Sequence, residues 1–301
     1  MALLQAIVER ARRFQGQKLV TKVYELYRTD NLAKIGMFLF GVYLLMAIFG
    51  PLLAPYDPLT INKDASDSVI RLSEPTANHW FGTTNYGRDI FSQWLIGARI
   101  SLVVGSVAAL FATTLGTVIG LTAAYYGGWV DDILMRFTDL VYGLPGLPFV
   151  IALVFILGSS LMNIILVIAL IQWRITARVI RSEALSIKER PYIESAESIG
   201  ASDARIIFLH ILPNVLPLVI LYMALTTAWS ILMEASISFL GFAAPNQLSW
   251  GRMMYQVYNA GVIRDAWWWV LPPGLSIMLL VMSVFFIGRA LEKVTNPDLR
   301  H

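Results

Sequence analysis

The sequence predicts an all-α integral membrane protein with six transmembrane helices. Apolar residues make up 57% of the 301-residue chain, and charged residues only 14%. With a mean hydropathy of +0.64, the chain carries too little charge to cover the surface of a soluble protein of this length. Six apolar stretches are long enough to cross a bilayer, which takes about 20 helical residues. They lie at approximately 35–55, 100–126, 132–157, 161–180, 207–236 and 270–291.

The first stretch follows a basic tail, residues 1–34, and begins too late for a cleaved secretory signal, so we interpret it as a retained span. The apolar residues of this tail fall on one helical face, which suits a helix lying in the membrane interface, although a solvated tail is equally compatible. They are Leu4, Ile7, Val8, Ala11 and Phe14.

Basic residues predict the orientation. Sixteen lysines and arginines lie in the N-terminal tail, between residues 174 and 205, and after residue 288, against six in the connectors of the opposite side. This excess predicts that both termini are cytoplasmic, which six spans allow. Trp267, Trp268 and Trp269 precede the last span, where an aromatic belt at the outer interface is expected.

Small residues and prolines interrupt two of the spans. Gly116 and Gly120 form a G-x-x-x-G pattern, preceded by Gly105 on the same stretch, which predicts close helix packing. In the third stretch, the sequence Gly143-Leu144-Pro145-Gly146 predicts a kink, whose freed carbonyls need protein or water as partners. A translocation pathway would supply that water, but a purely structural kink is the commoner explanation.

Asp139 and Glu234 are the acids that lie most clearly inside the apolar stretches. A charge at the centre of a spanning helix costs about 2.5–3.5 kcal/mol on insertion scales, so both residues, with Pro145, are candidates for a substrate pathway. For Asp139 we favour a structural role, in which it hydrogen-bonds across helices or lies near an interface. The role of Glu234 stays open.

A short polar segment at residues 191–200 separates the fourth and fifth apolar stretches. Pro191 suits a first helical turn, and Gly200 is a typical helix stop. The apolar residues recur at helical spacing on one face, so the segment is predicted to be a compact helix. They are Tyr192, Ile193, Ala196 and Ile199. Such a helix could rest on the membrane, but one apolar turn with two acids binds anionic lipid poorly, which favours docking to another protein.

This segment resembles the EAA loop of binding-protein-dependent ABC importer permeases. Glu194, Ser195 and Ala196, followed by Gly200 and later by Ile211-Leu212-Pro213, match the pattern E-A-A-x-x-x-G apart from the serine. Further stretches are similar to one subgroup, the C-type permease subunit of dipeptide, oligopeptide and nickel importers. They are 81–89 (FGTTNYGRD), 97–102 (GARISL), 126–131 (YGGWVD), 177–181 (ARVIR) and 238–241 (SFLG), with departures at Thr84 and at Gly288-Arg289.

The resemblance implies a type I ABC importer permease core in the plasma (inner) membrane of a prokaryote. It divides the chain into a basic tail (1–34), a first transmembrane helix with an external loop (35–99), a five-helix core (100–291) and a C-terminal tail (292–301). Residues 191–200 would be the coupling helix, seated on a cytoplasmic ATPase subunit. The coupling residues would be Tyr192, Glu194, Ser195, Ala196, Ile199, Gly200, Ala201, Leu212 and Pro213.

The implied partners are a second, homologous permease forming a heterodimer, two cytoplasmic ATPase subunits, and an extracytoplasmic substrate-binding protein. ATP and Mg would bind to the ATPase subunits, because this sequence contains no P-loop and not even a Gly-Lys pair. No cofactor, metal or catalytic site is predicted in the chain itself, and its basic residues flank membrane spans rather than suggesting nucleic acid.

The expected cargo is a di- or oligopeptide, with nickel, glutathione or oligosaccharides as alternatives that related permeases serve. A function of another class, an ion-coupled secondary transporter acting alone, would favour a chain of membrane acids or an inverted repeat. The sequence has two separated acids and no evident relation between residues 35–157 and 161–291.

Overall fold

The computed structural model describes residues 30–244 and 246–295, with side chains as far as Lys293. The interfacial helix predicted for the N-terminal tail lies outside these residues, as does most of the C-terminal tail. Within them the fold is all-helical: α1 (Asn31–Leu53), α2 (Ile90–Tyr126), α3 (Gly128–Tyr142), α4 (Gly146–Leu157), α5 (Leu161–Lys188), α6 (Pro191–Ser198), α7 (Asp203–Phe242), α8 (Trp250–Asn259) and α9 (Trp267–Thr295).

Five of these helices, α1, α2, α5, α7 and α9, are long and apolar enough to cross a membrane. The predicted third span, 132–157, is not one straight helix. It consists of α3 and α4, which meet at 90°, so that the described residues contain six candidate spans if this pair is counted as one. The predicted kink is confirmed, with Pro145 immediately before α4 and Pro148 in its first turn, where amides have no helical acceptors.

Helix α2 begins ten residues before the predicted start of the second span. Asp89 caps it, accepting hydrogen bonds from the Ser92 amide (2.8 Å) and the Ser92 hydroxyl (2.7 Å). Gln93 is fully buried and donates to the Pro58 carbonyl (2.9 Å). The Ser92 hydroxyl and the Gln93 amide group thus find partners within the protein, which the length of an apolar run cannot indicate.

Helix α2 is central to the bundle and packs against α1, α5 and α7. A Cβ atom on Gly116 or Gly120 would lie 2.5 Å from the carbonyl oxygen of Trp173 or Ala177 in α5. On another face, a Cβ on Gly105 would lie 2.4 Å from Ile231 of α7. The close helix packing predicted from these glycines is confirmed.

Helix α1 lies against α2 and α9. Asp30 caps α1, accepting from the Leu32 amide (2.9 Å), and also pairs with Lys293 at the end of α9 (2.5 Å). This ion pair joins the two terminal helices at one end of the bundle. Hydrogen bonding to Lys293 is the main cause that lowers the pKa of Asp30 below its usual value.

Two of the three tryptophans expected in an aromatic belt are core residues. Trp268 and Trp269 are buried, and only Trp267 is exposed. Trp268 packs against Gly82 of the 54–89 connector, whose φ of +67° places its backbone against the indole ring. This connector and α8 cover the end of the bundle, so the indole rings bury against protein.

Candidate functional site

The segment between α5 and α7 is a short helix closed by a glycine in the left-handed region. The hydroxyls of Ser195 and Ser198 each donate to the carbonyl four residues earlier, at 2.8 and 2.9 Å. Gly200 has φ +79°, and the Ala201 amide donates to the Ala196 carbonyl (3.1 Å). This Schellman arrangement ends the helix at Ser198 and turns the chain sharply towards α7.

The predicted apolar face of this segment is divided between its two sides. Ile193 (1% exposed) and Ala196 are buried against the rest of the chain, whereas Tyr192 is exposed and Ile199 is 85% exposed. Ile199 follows the last helical residue, so its side chain leaves the helical face. Ala196, one of the predicted coupling residues, is buried against its own chain.

A single apolar cluster seats α6 on three long helices. Ile193 packs with residues from the ends of α2, α5 and α7, and Leu212 borders the same cluster. Pro213 next to it is half-buried. The buried members are Leu121, Ala124, Tyr125, Ile180, Ala184, Ile187, Ile193, Ile206, Ile211 and Val215. Helix α6 is therefore packed directly against α2, α5 and α7.

Tyr125 ties down both ends of this loop. Its hydroxyl donates to Asp203 at the start of α7 (2.9 Å), and its carbonyl accepts from Lys188 at the end of α5. Sequence reasoning missed these three residues, because they are far apart in the chain and belong to no motif. Of the predicted coupling residues in segment 191–200, the exposed ones are Tyr192, Glu194, Ser195, Ile199 and Gly200.

Three arginines of α5, which we name the arginine ladder (Arg174, Arg178 and Arg181), face α3. Arg181 makes two hydrogen bonds to Asp131. Arg178 donates to Asp139 (2.6 Å) and lies 4.1 Å above the ring centroid of Tyr142. The predicted structural role of Asp139, a bond across helices, is present in this pair. The side chains of Arg178 and Asp139 are 50% and 58% exposed.

Arg174 lies one turn further along α5, at the break between α3 and α4. Its guanidinium donates to the Val141 carbonyl (3.2 Å) and lies 5.0 Å from the ring centroid of Tyr142. The break also leaves α4 without a side-chain cap after Pro145. Asp139 and Pro145 thus lie on the two sides of this break.

Glu234 lies elsewhere in the bundle. It is 2% exposed and accepts hydrogen bonds from the hydroxyls of Ser238 (2.7 Å) and Ser101 (3.3 Å). It lines a small pocket with Leu161, the first residue of α5, whereas Arg178 follows 17 residues later on that helix. At 1.5 Å per residue this is about 25 Å, so Glu234 does not join Asp139 and Pro145. It links α2 to α7 instead.

Comparison with protein families gives two matches. Residues 116–297 match the family described as "Binding-protein-dependent transport system inner membrane component". Residues 25–75 match the one described as "N-terminal TM domain of oligopeptide transport permease C". The first match covers more than half of the chain and includes α6, the arginine ladder and the break.

Curated relatives match along nearly the whole chain. The dipeptide transport system permease protein DppC of Alkalihalophilus pseudofirmus is 38% identical over 280 residues, covering 93% of this chain and 90% of the relative. The oligopeptide transport system permease protein OppC of Bacillus subtilis is 34% identical, covering 91% and 88%. The glutathione transport system permease protein GsiD of Pectobacterium atrosepticum is 37% identical, covering 86% and 85%.

Among solved structures, the inward-facing MetNI methionine ABC transporter has a similar chain. The TM-score is 0.54 at 19% sequence identity, and the match covers 69% of this chain and 97% of the other. At this identity the likeness concerns the fold alone. It agrees with the predicted type I importer permease core.

Proposed function

The chain belongs to the binding-protein-dependent transport system inner membrane component family, and we propose that it moves di- or oligopeptides through a pathway shared with a second, homologous permease. It is a permease subunit of an ABC importer and a multi-pass protein of a prokaryotic inner membrane. Peptide cargo is supported by the names of the DppC and OppC relatives. Because a GsiD relative is 37% identical, glutathione, itself a small peptide, is the second candidate.

The exposed side of α6 is the proposed contact with a cytoplasmic ATPase subunit. The observation that carries this assignment is the division of α6 between a buried seat and an exposed outer surface. Ile193 fixes the helix to three spanning helices, while Ile199 and Tyr192 present apolar surface at the tip of the loop. Two ATPase subunits would bind ATP and Mg, close around them, and displace α6 and its counterpart in the second permease.

This assignment places α6 and both termini on the cytoplasmic side. A substrate-binding protein would then deliver cargo at the opposite end, where the 54–89 connector and α8 lie. The excess of lysine and arginine at the α6 end and in the tails supports this orientation.

The face formed by α3, α4 and the arginine ladder is the proposed wall of the pathway. Arg178 and Asp139 form an ion pair that is half-exposed, yet α3 and α5 belong to spanning segments. Hydrocarbon does not solvate such a pair, so this face requires water or another protein beside it. The heterodimer interface and the pathway between the two permeases provide both.

The test is reconstitution of the chain with its homologous permease, ATPase subunits and binding protein in liposomes. ATP-dependent uptake of a labelled dipeptide is expected, and uptake of glutathione instead would favour the second candidate. Glu194→Lys should lower uptake and ATPase co-purification, because it reverses a charge on the exposed side of α6.

The matched control is Glu74→Lys, which reverses an exposed charge in the connector at the other end of the bundle. Co-purification of the ATPase should stay unchanged in that variant. Equal loss in both variants would contradict docking at α6, as would undiminished uptake with Glu194→Lys.

A further inference from the structure

Arg174 lies deep within a spanning helix. It follows Leu161, the first residue of α5, by 13 positions, which corresponds to about 20 Å along the helix axis. The polar turn 158–160 precedes α5, and the hydrocarbon core of a bilayer is about 30 Å thick. The guanidinium of Arg174 is therefore at hydrocarbon depth, where a charged group is costly and commonly marks a functional site.

The three arginines of the ladder differ in how their charge is balanced. Arg178 is paired with Asp139, and Arg181 with Asp131. Arg174 has no carboxylate partner in residues 30–244 and 246–293. Its contacts there are one carbonyl and one aromatic ring, and its Nε is buried without a hydrogen-bond acceptor.

A guanidinium has five N–H donors in a planar fork that matches a carboxylate. The carbonyl of Val141 uses one donor, and the ring of Tyr142 supports the fork from one face. The charge is thus held in place but not neutralised. A site with this chemistry favours an anion, and its position beside the α3–α4 break puts it on the proposed pathway wall.

We propose that Arg174 binds the carboxylate of the transported peptide as the peptide passes the break between α3 and α4. This inference rests on the proposed peptide cargo. Gly146 leaves room for it: even a Cβ added there would be 3.9 Å from the Arg174 Nη2 atom. A free peptide always carries a C-terminal carboxylate, and glutathione also carries carboxylates. A nickel cation would be repelled at this position, and a neutral oligosaccharide would gain no ion pair.

The experiment compares two probes in the reconstituted importer: a dialanine peptide with a free C-terminal carboxylate and its C-terminal amide. The binding protein is loaded to saturation with each probe, so its own preference does not enter. The wild-type importer should move the free acid faster. Arg174→Gln should slow the free acid about tenfold and leave the amide unchanged, and Arg174→Lys should restore much of the preference.

Arg178→Gln is the matched control, since it removes the same charge one turn away from an arginine that already has an acidic partner. This variant should change the transport rates of both probes by the same factor and so preserve their ratio. An equal fall for both probes with Arg174→Gln would overturn the proposal, and would indicate a structural role or pairing with a carboxylate of the second permease. Unchanged transport rates of both probes with Arg174→Gln would also overturn it.

Failure of the proposed function has a different outcome. If the wild-type importer moved neither probe while its ATPase still responded to the binding protein, peptide cargo itself would be rejected. If the wild-type importer moved both probes at equal rates, only the carboxylate site at Arg174 would be rejected.

Discussion

Alanine substitution of two isoleucines in the 191–200 segment should distinguish a residue needed for folding from a residue needed for ATPase docking. Ile199 is 85% exposed at the tip of the loop, whereas Ile193 is 1% exposed in the cluster beneath it. Burying an isoleucine side chain is worth about 1.5–3 kcal/mol, and alanine retains part of this, so Ile199→Ala should weaken ATPase association by roughly 1–2 kcal/mol, or about 5- to 30-fold. Its effect on the free energy of unfolding should stay within about 0.5 kcal/mol.

Ile193→Ala should behave in the opposite way. Removing a fully buried isoleucine from a packed cluster typically costs about 2–5 kcal/mol of stability. Thermal unfolding of the purified permease in detergent measures the loss of stability. Titration of the ATPase subunit onto the permease measures the ATPase affinity. A large loss of stability with Ile199→Ala, together with unchanged ATPase affinity, would refute the division of α6 into a seat and a docking surface.

Three other substitutions test the loop, the packing and the termini. Gly200→Val should destabilise the loop by about 1–2 kcal/mol through its φ of +79°, measured by limited proteolysis, although a Cβ there meets open space. Gly120→Leu should separate α2 from α5 and lower the melting temperature strongly, whereas Gly41→Ala, where a Cβ meets no atom within 4 Å, should not. The lowered pKa of Asp30 stabilises the fold above the ordinary carboxyl pKa near 3.8, and this stabilisation is lost as pH falls through the folded pKa. Asp30→Asn should weaken the dependence of the melting temperature on pH in this acidic range. An unchanged dependence would contradict the prediction.

Much of the fold could be predicted because the bilayer simplifies the problem. The lengths of the apolar stretches predict the approximate positions of the spans. Gly116 and Gly120 predict a close helix contact but do not identify the partner helix. The Schellman turn at Gly200 follows from local backbone chemistry, so it too was predictable. Local signals of this kind need no knowledge of tertiary structure.

The errors came from tertiary partners. The apolar pattern predicts the start of α2 too late, because Gln93 finds its acceptor, Pro58, 35 residues earlier in the chain. The sequence predicts an interfacial position for Trp268 and Trp269 because it cannot show that the connector folds over them. The sequence does not indicate the pairing of Arg178 and Arg181, since the aspartates that balance them lie on a different helix.

The contrast between two helix contacts suggests how a displacement of α6 could reach the pathway. At Gly116 and Gly120 the backbones of α2 and α5 are so close that a single methyl group would collide, so we expect these helices to move together. Among the described residues, α3 buries one side chain, Thr138, and meets α5 through the ion pairs of the ladder and the stacked rings of Phe137 and Trp173. It is also separated from α4 by the 90° break. A force on α6 would therefore move α2 and α5 as one body, and we expect the adjustment to occur at α3, α4 and the break beside Arg174.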